Sequence, residues 1–233
     1  MTGGIVSPAT RQRVRDLATP IARALGRLGL TPNTLTMIGF LGTCLAAVAA
    51  AYGWWLAAGV LVLAFGIFDL FDGALARATG RTTKLGAFLD STFDRAGEAI
   101  VYVGIAVGCL AAGFALGAIL SATAMGAAFM VSYTRAKAES LGFTPGTGMA
   151  NVGLAPREVR LVLLVAGLIA TAFRGGLATI YDRGFGGYQG GYASFGDNDG
   201  SGALAITLGL ITILAVATTI QRINHVRAQS REG

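Results

Sequence analysis

Residues 69–94 read D-L-F-D-G-A-L-A-R-A-T-G-R-T-T-K-L-G-A-F-L-D-S-T-F-D. Four carboxylates, Asp69, Asp72, Asp90 and Asp94, stand inside otherwise apolar runs. An ionised carboxylate in apolar surroundings is costly unless a cation or a donor compensates it. Asp69 and Asp72 are three residues apart, and Asp90 and Asp94 four, so on helices each pair shares one face. Two such faces turned toward each other make an all-oxygen cage suited to a hard divalent cation. The stretch therefore predicts two neighbouring helices joined by a short basic turn.

Outward from it the chain is strongly apolar. Of 233 residues 54% are hydrophobic and only 13% charged, against about a quarter charged in an average soluble domain. The expectation is an all-α, polytopic membrane protein with a single helical domain. Six apolar runs come near or above the roughly 20 residues that span a bilayer: 31–52, 54–77, 85–112, 114–139, 156–173 and 202–226. Thr31 and Pro32 suit the cap and first position of the first helix. The net charge is +6, and it is sorted by loop. Arg77, Arg81 and Lys84 lie between the second and third runs. Arg135, Lys137, Arg157 and Arg160 surround the fourth connection, and Arg222, Arg227 and Arg231 close the chain. Only Arg174 and Arg183 fall on the other side. This pattern places both termini and both basic loops in the cytoplasm. It argues against nucleic acid as a partner, which would need the charge on one exposed face.

Residues 8–29 form a basic amphipathic segment, with Val14, Leu17, Ile21, Leu25 and Leu28 at helical spacing and Arg11, Arg13, Arg15, Arg23 and Arg27 on the polar side. It is expected to lie in the headgroup region, with Pro20 bending or splitting it, the alternative being a helix folded back on the protein. The layout is thus an interfacial segment at 1–30, a six-span domain at 31–226 and a tail at 227–233. A Gly-rich outer loop lies at 175–201. The G-x-x-x-G run from Gly104 to Gly108 suits either close helix packing or a dimer contact. Cys44 and Cys109 read as free thiols, and His225 as a solvated tail residue.

Asp69 stands eight residues before Arg77, about 12 Å along a helix axis, which puts the acids just below the cytoplasmic headgroups. Gly73, Ala76 and Gly86 leave room for close approach, and the Arg77 fork suits phosphate. Carboxylates, small residues and an arginine together point to metal-assisted phosphoryl transfer.

These residues resemble the signature of the CDP-alcohol phosphatidyltransferase family, D-x2-D-G-x2-A-R-x8-G-x3-D-x3-D. It is filled here by Asp69, Asp72, Gly73, Ala76, Arg77, Gly86, Asp90 and Asp94. The resemblance implies a six-helix bundle, a homodimer, and a multi-pass protein of a prokaryotic cell membrane with a cytoplasmic active site. It implies a CDP-linked lipid, such as CDP-diacylglycerol, over one or two Mg2+ or Mn2+ ions. Asp69, Asp72, Asp90 and Asp94 would bind metal, and Asp94 would also act as general base. Asn33, Thr36, Asp69, Gly73, Ala76, Arg77, Thr83 and Gly86 would line the CDP-lipid site.

The acceptor side resembles one branch of that family, the phosphatidylinositol-phosphate synthases and related archaeal enzymes. Their S-Y-x-K-A-R-A-E stretch is matched by residues 132–139, with Arg135 and Lys137 exchanging the usual Lys and Arg. Pro156 to Arg160 and the Gln221-Arg222 pair match two further basic segments, the first in altered order. Carried over, Ser132, Arg135, Arg157, Arg160 and Arg222 would hold the phosphate of inositol 1-phosphate. Glycerol 3-phosphate is the alternative acceptor, because it too carries a phosphate. A cation transporter would use the same acids differently, but no ionisable residue marks an outward path. A non-catalytic scaffold would leave them without a task.

Overall fold

The computed structural model describes residues 19–80, 82–143, 152–177 and 200–232, without the side chains of Asp69 and Glu232. All regular structure among them is helical. A short helix α1 covers 19–27. It is followed by α2 (Pro32–Ala51), α3 (Trp55–Ala78), α4 (Lys84–Ala111), α5 (Ala115–Ser140), α6 (Arg157–Phe173) and α7 (Ser201–Glu232). Most of the Gly-rich connection and residues 8–18 of the amphipathic segment lie outside the described residues.

Local chemistry sets the helix ends. Thr31 caps α2, its Oγ1 accepting from Thr34 N at 3.2 Å, and Pro32 follows at the first helical position. Gly53 (φ 75°) and Gly113 (φ 74°) take the left-handed conformation that closes α2 and α4. Trp54 N then returns to Ala49 O, and Phe114 N to Cys109 O, each at 2.8 Å. Thr83 caps α4 through Gly86 N at 2.9 Å. The last helix runs to Glu232 rather than stopping near 226, because residues 227–232 contain no Gly or Pro to break it.

Among the described residues four helices are long and apolar enough to cross a membrane: α2, α3, α5 and α7. The other three, α1, α4 and α6, are shorter or less apolar. α4 carries Lys84, Asp90, Asp94, Arg95 and Glu98, and α6 has 17 residues. Large apolar side chains also cover the outside of the bundle. Met37, Leu41, Leu45 and Val48 line one outer face of α2, and Leu56, Val60, Leu63 and Ile67 one of α3. Outer surfaces this apolar belong in lipid, so the chain is a membrane protein.

Two groups of helices form the bundle. α2 packs on α3 and α4, α7 packs on α5 and α6, and the groups meet where α3 touches α6 and α4 touches α5. The buried core runs between them through Val101, Tyr102 and Ile105 of α4, Leu164 and Leu168 of α6, and Leu204 and Leu208 of α7. At the site end Ala22 of α1 is fully buried beside Leu35, Ala74 and Leu75, while Ile21 and Leu28 stay exposed. Thus α1 folds partly onto the bundle and keeps an apolar edge outward.

The G-x-x-x-G run is an internal seam. A β-carbon on Gly104 would land on the Ala47 carbonyl oxygen, and one on Gly108 on that of Ala50. Backbone meets backbone there, so the run packs α4 on α2 within one chain. Gly104→Val is expected to destabilise the protein by about 1–3 kcal/mol through overpacking. Gly126→Ala, where a β-carbon meets nothing within 4 Å, is expected to be neutral. Thermal unfolding in detergent compares them, and equal midpoints would contradict the seam.

Candidate active site

α3 and α4 present the acids, and α2 steadies one of them. Asp72 is 4% exposed, and its Oδ2 accepts from Thr36 Oγ1 at 2.7 Å. Thr36 comes from the first turn and a half of α2, so the capped start of that helix positions a carboxylate on α3. Asp90 and Asp94 lie half-buried one turn apart on α4. Asp69 belongs to α3, and its side chain lies outside the described set. Among the described residues no three His, Cys, Asp or Glu side chains converge as a ready metal site. The donor set is nonetheless all oxygen, which suits a hard divalent ion.

Close approach is built in beside the acids. The Arg77 guanidinium folds back over Gly73, where a β-carbon would come within 3.2 Å of Nη1. A β-carbon on Gly86 would sit 3.0 Å from Thr83 Oγ1 and 3.4 Å from Asn33 Oδ1. Asn33, Arg77, Thr83 and Gly86 therefore gather around the α3–α4 turn, with Ala76 half-buried on the same helix as Arg77. Arg81, in that turn, lies outside the described residues.

The acceptor-side arginines arrive from three other helices. Arg157, the first residue of α6, brings Nη1 to 3.0 Å from Asp94 Oδ1. Arg95 Nη2 reaches the other oxygen at 3.9 Å. Arg160 is 1% exposed and grips Glu98 at two points, Nε to Oε1 and Nη2 to Oε2, both 2.8 Å. Its Nη1 donates to Ala155 O at 2.9 Å. Arg222 of α7 is also buried, donating Nε to Val152 O at 3.0 Å and Nη1 to Val131 O. It lies within electrostatic reach of Arg135, Arg160 and Arg95. Arg135 is half-exposed and pairs with Glu139 at 2.8 Å. Ser132 Oγ donates back to Ala128 O at 3.3 Å.

The predicted acceptor arginines therefore fall into two kinds. Arg135 and Arg157 keep 48% and 25% of their side-chain surface exposed, whereas Arg160 and Arg222 are buried with donors on a carboxylate and on backbone carbonyls. A part-open pocket joins Thr36, Asp94, Arg157 and Arg160 to apolar walls at Phe40, Phe65 and Leu164. Sequence reading missed Glu98. It continues the four-residue row of Asp90 and Asp94, but the partner that explains it lies 62 residues away.

A sequence profile of the CDP-alcohol phosphatidyltransferases matches residues 29–181. The chain belongs to the CDP-alcohol phosphatidyltransferase family. It is an enzyme, a transferase, and the matched residues span both the acids and the first acceptor-side arginines. Among curated relatives, the archaetidylinositol phosphate synthase of Pyrococcus horikoshii is 37% identical over 72% of this chain and 84% of its own. The phosphatidylinositol phosphate synthase of Streptomyces avermitilis is 33% identical over 92% of this chain and 79% of its own. The crystal structure of Mycobacterium tuberculosis phosphatidylinositol phosphate synthase with CDP-DAG bound superposes with a TM-score of 0.69 at 29% identity, covering 91% of this chain and 94% of that one. The same mycobacterial enzyme in complex with manganese and citrate gives a TM-score of 0.69 at 28% identity, over 90% and 88%.

Proposed function

We propose that this phosphatidyltransferase moves the phosphatidyl group of CDP-diacylglycerol to inositol 1-phosphate, forming phosphatidylinositol phosphate and releasing CMP. One observation carries the reading: the signature acid Asp94 lies 3.0 Å from Arg157 at the edge of an arginine cluster. A base and a phosphate-binding group are thus side by side, as attack by a phosphorylated alcohol requires. The bacterial and archaeal relatives named for inositol phosphate lipids support the same acceptor.

Asp69, Asp72, Asp90 and Asp94 would hold one or two divalent ions, Mg2+ or Mn2+. When bound, such ions neutralise the diphosphate and make CMP a good leaving group. Asn33, Thr36, Asp69, Gly73, Ala76, Arg77, Thr83 and Gly86 shape the CDP-lipid side. The acceptor hydroxyl oxygen bonds to the lipid-side phosphorus, and the bond from that phosphorus to the bridging oxygen breaks. CMP leaves with the electron pair, and Asp94 takes the hydroxyl proton. Ser132, Arg135 and Arg157 meet the acceptor phosphate, while Arg160 and Arg222 add positive field and hold the frame. The protein has six spans in a prokaryotic cell membrane, both termini and the site on the cytoplasmic side, α1 at the headgroups, and works as a homodimer.

Glycerol 3-phosphate is the second reading, since the same cluster receives any phosphorylated alcohol. Membranes carrying the protein, given CDP-diacylglycerol and Mg2+, are expected to release CMP with inositol 1-phosphate, far more slowly with glycerol 3-phosphate, and not after chelation by EDTA. CMP release with glycerol 3-phosphate and none with inositol 1-phosphate would overturn the proposed acceptor.

A further inference from the structure

Arg95 follows Asp94 directly on α4, and the carboxylates around it have nearer partners. Both oxygens of Glu98 accept from Arg160, Nε and Nη2 each at 2.8 Å. Asp94 Oδ1 lies 3.0 Å from Arg157 Nη1. Arg95 comes second to each acid. Its Nη2 stands 3.9 Å from Asp94 Oδ2 and its Nη1 3.8 Å from Glu98 Oε2, beyond hydrogen-bond length. Among the described residues Arg95 makes no side-chain hydrogen bond, although its side chain is only 29% exposed. A guanidinium covered to that extent normally has its donors engaged. Arg157 and Arg160 lie within its electrostatic reach, and so does Arg222 of α7. Arg222 is itself buried and donates only to the carbonyls of Val152 and Val131. Arg95 and Arg222 thus add two positive charges with no carboxylate at hydrogen-bond distance. Like charges gathered in a partly buried place repel, and an anion between them offsets that repulsion better than water does.

We propose that Arg95 is a further specificity-determining residue: it binds the phosphate of the acceptor from the α4 side and so selects phosphorylated alcohols. The inference rests on the phosphatidyl-transfer reading of the site. A phosphate dianion carries the charge that Arg95 and Arg222 leave uncompensated, and it has oxygens for a two-point grip by the uncommitted Arg95 fork. Arg160 cannot take this part, because Glu98 and Ala155 O already engage its donors. Arg95 and the base are consecutive residues of one helix. A phosphate seated on Arg95 and a hydroxyl facing Asp94 are therefore held at a fixed spacing by a rigid element, which is what a productive approach of that hydroxyl needs. An alcohol without a phosphate leaves the two guanidiniums facing each other and is held more weakly. No proton moves at Arg95; its work is binding and placement.

Two measurements test this role. With CDP-diacylglycerol and Mg2+, Arg95→Gln is expected to raise the Michaelis constant for inositol 1-phosphate about 10- to 100-fold, the range for a lost hydrogen bond to a charged group. Turnover at saturating acceptor should stay within about fivefold of the parent, as expected for a lost binding contact. Arg95→Lys, which keeps the charge without the fork, should fall between the two. An unchanged Michaelis constant overturns the proposal, and so does a loss of turnover at an unchanged Michaelis constant. The second measurement is thermal unfolding in detergent with Mg2+ and no lipid or acceptor. Inorganic phosphate, against chloride at equal ionic strength, is expected to raise the midpoint of the parent, and that gain should be lost in Arg95→Gln and partly kept in Arg95→Lys. An equal gain in parent and Arg95→Gln, or none in either, overturns the proposal. This arm does not depend on the acceptor's identity. A phosphate gain that needs Arg95, without transfer to inositol 1-phosphate, would support the role of Arg95 while sinking the proposed acceptor.

Discussion

Asp94→Asn is expected to lower CMP release by about 10^3-fold, within the range for a lost general base. The change is nearly isosteric and sits on a helix, so the bundle should persist. What disappears is the charge that Arg157 faces and the oxygen that takes the acceptor's proton. The Michaelis constant for acceptor should move much less than the turnover number, because Arg135 and Arg157 remain to hold the phosphate. Initial rates of CMP release over a range of acceptor concentrations separate the two. Activity within tenfold of the parent would remove Asp94 from the role of base.

The largest stability effect is expected at Arg160. Replacing it with Leu leaves Glu98, only 12% exposed, without its two-point partner. Breaking a buried pair from one side costs about 3–5 kcal/mol, and the Ala155 carbonyl also loses a donor. The double variant Glu98→Leu with Arg160→Leu removes both charges and should recover most of that loss, because apolar replacement of a buried pair is often close to neutral. Recovery should stop short of the parent by about 1 kcal/mol, the worth of the hydrogen bond to Ala155 O. Denaturant unfolding in detergent reads the cycle. Equal stability of the single variant and the parent would mean that the pair does not hold α4 to α6.

How much of this was legible in the chain follows from the range of each interaction. The acids of α3 and α4 announced themselves because carboxylates in apolar runs at helical spacing have few explanations. Six of the helices were readable from the length of their apolar runs, and Thr31 with Pro32 marked the start of one. Glu98 was not readable as a site residue, since a lone carboxylate gains meaning only from Arg160 on another helix. Arg160 and Arg222 were read as phosphate ligands because a basic residue beside a cytoplasmic loop looks the same whether it faces solvent, a ligand or a carbonyl. The G-x-x-x-G run allowed two partners, and only the position of Ala47 and Ala50 selects the internal one. The end of α7 was placed early because charge suggests a tail, although nothing in residues 227–232 breaks a helix.

The grip of α7 on the turn before α6 has a consequence for how the sequence can drift. Arg222 holds the carbonyls of Val131 and Val152, and Thr218 holds the amide of Ala155. None of these contacts depends on the side chain at the held position. Residue 152, which is only half-buried, can therefore change identity over evolutionary time while the turn keeps its shape, provided Thr218 and Arg222 stay, whereas the fully buried Ala155 cannot grow. The glycine seam between α2 and α4 has no such freedom, since Gly104 and Gly108 have no space for a substituent. Selection can in this way rework the acceptor side in small steps while the helices that carry the chemistry stay fixed.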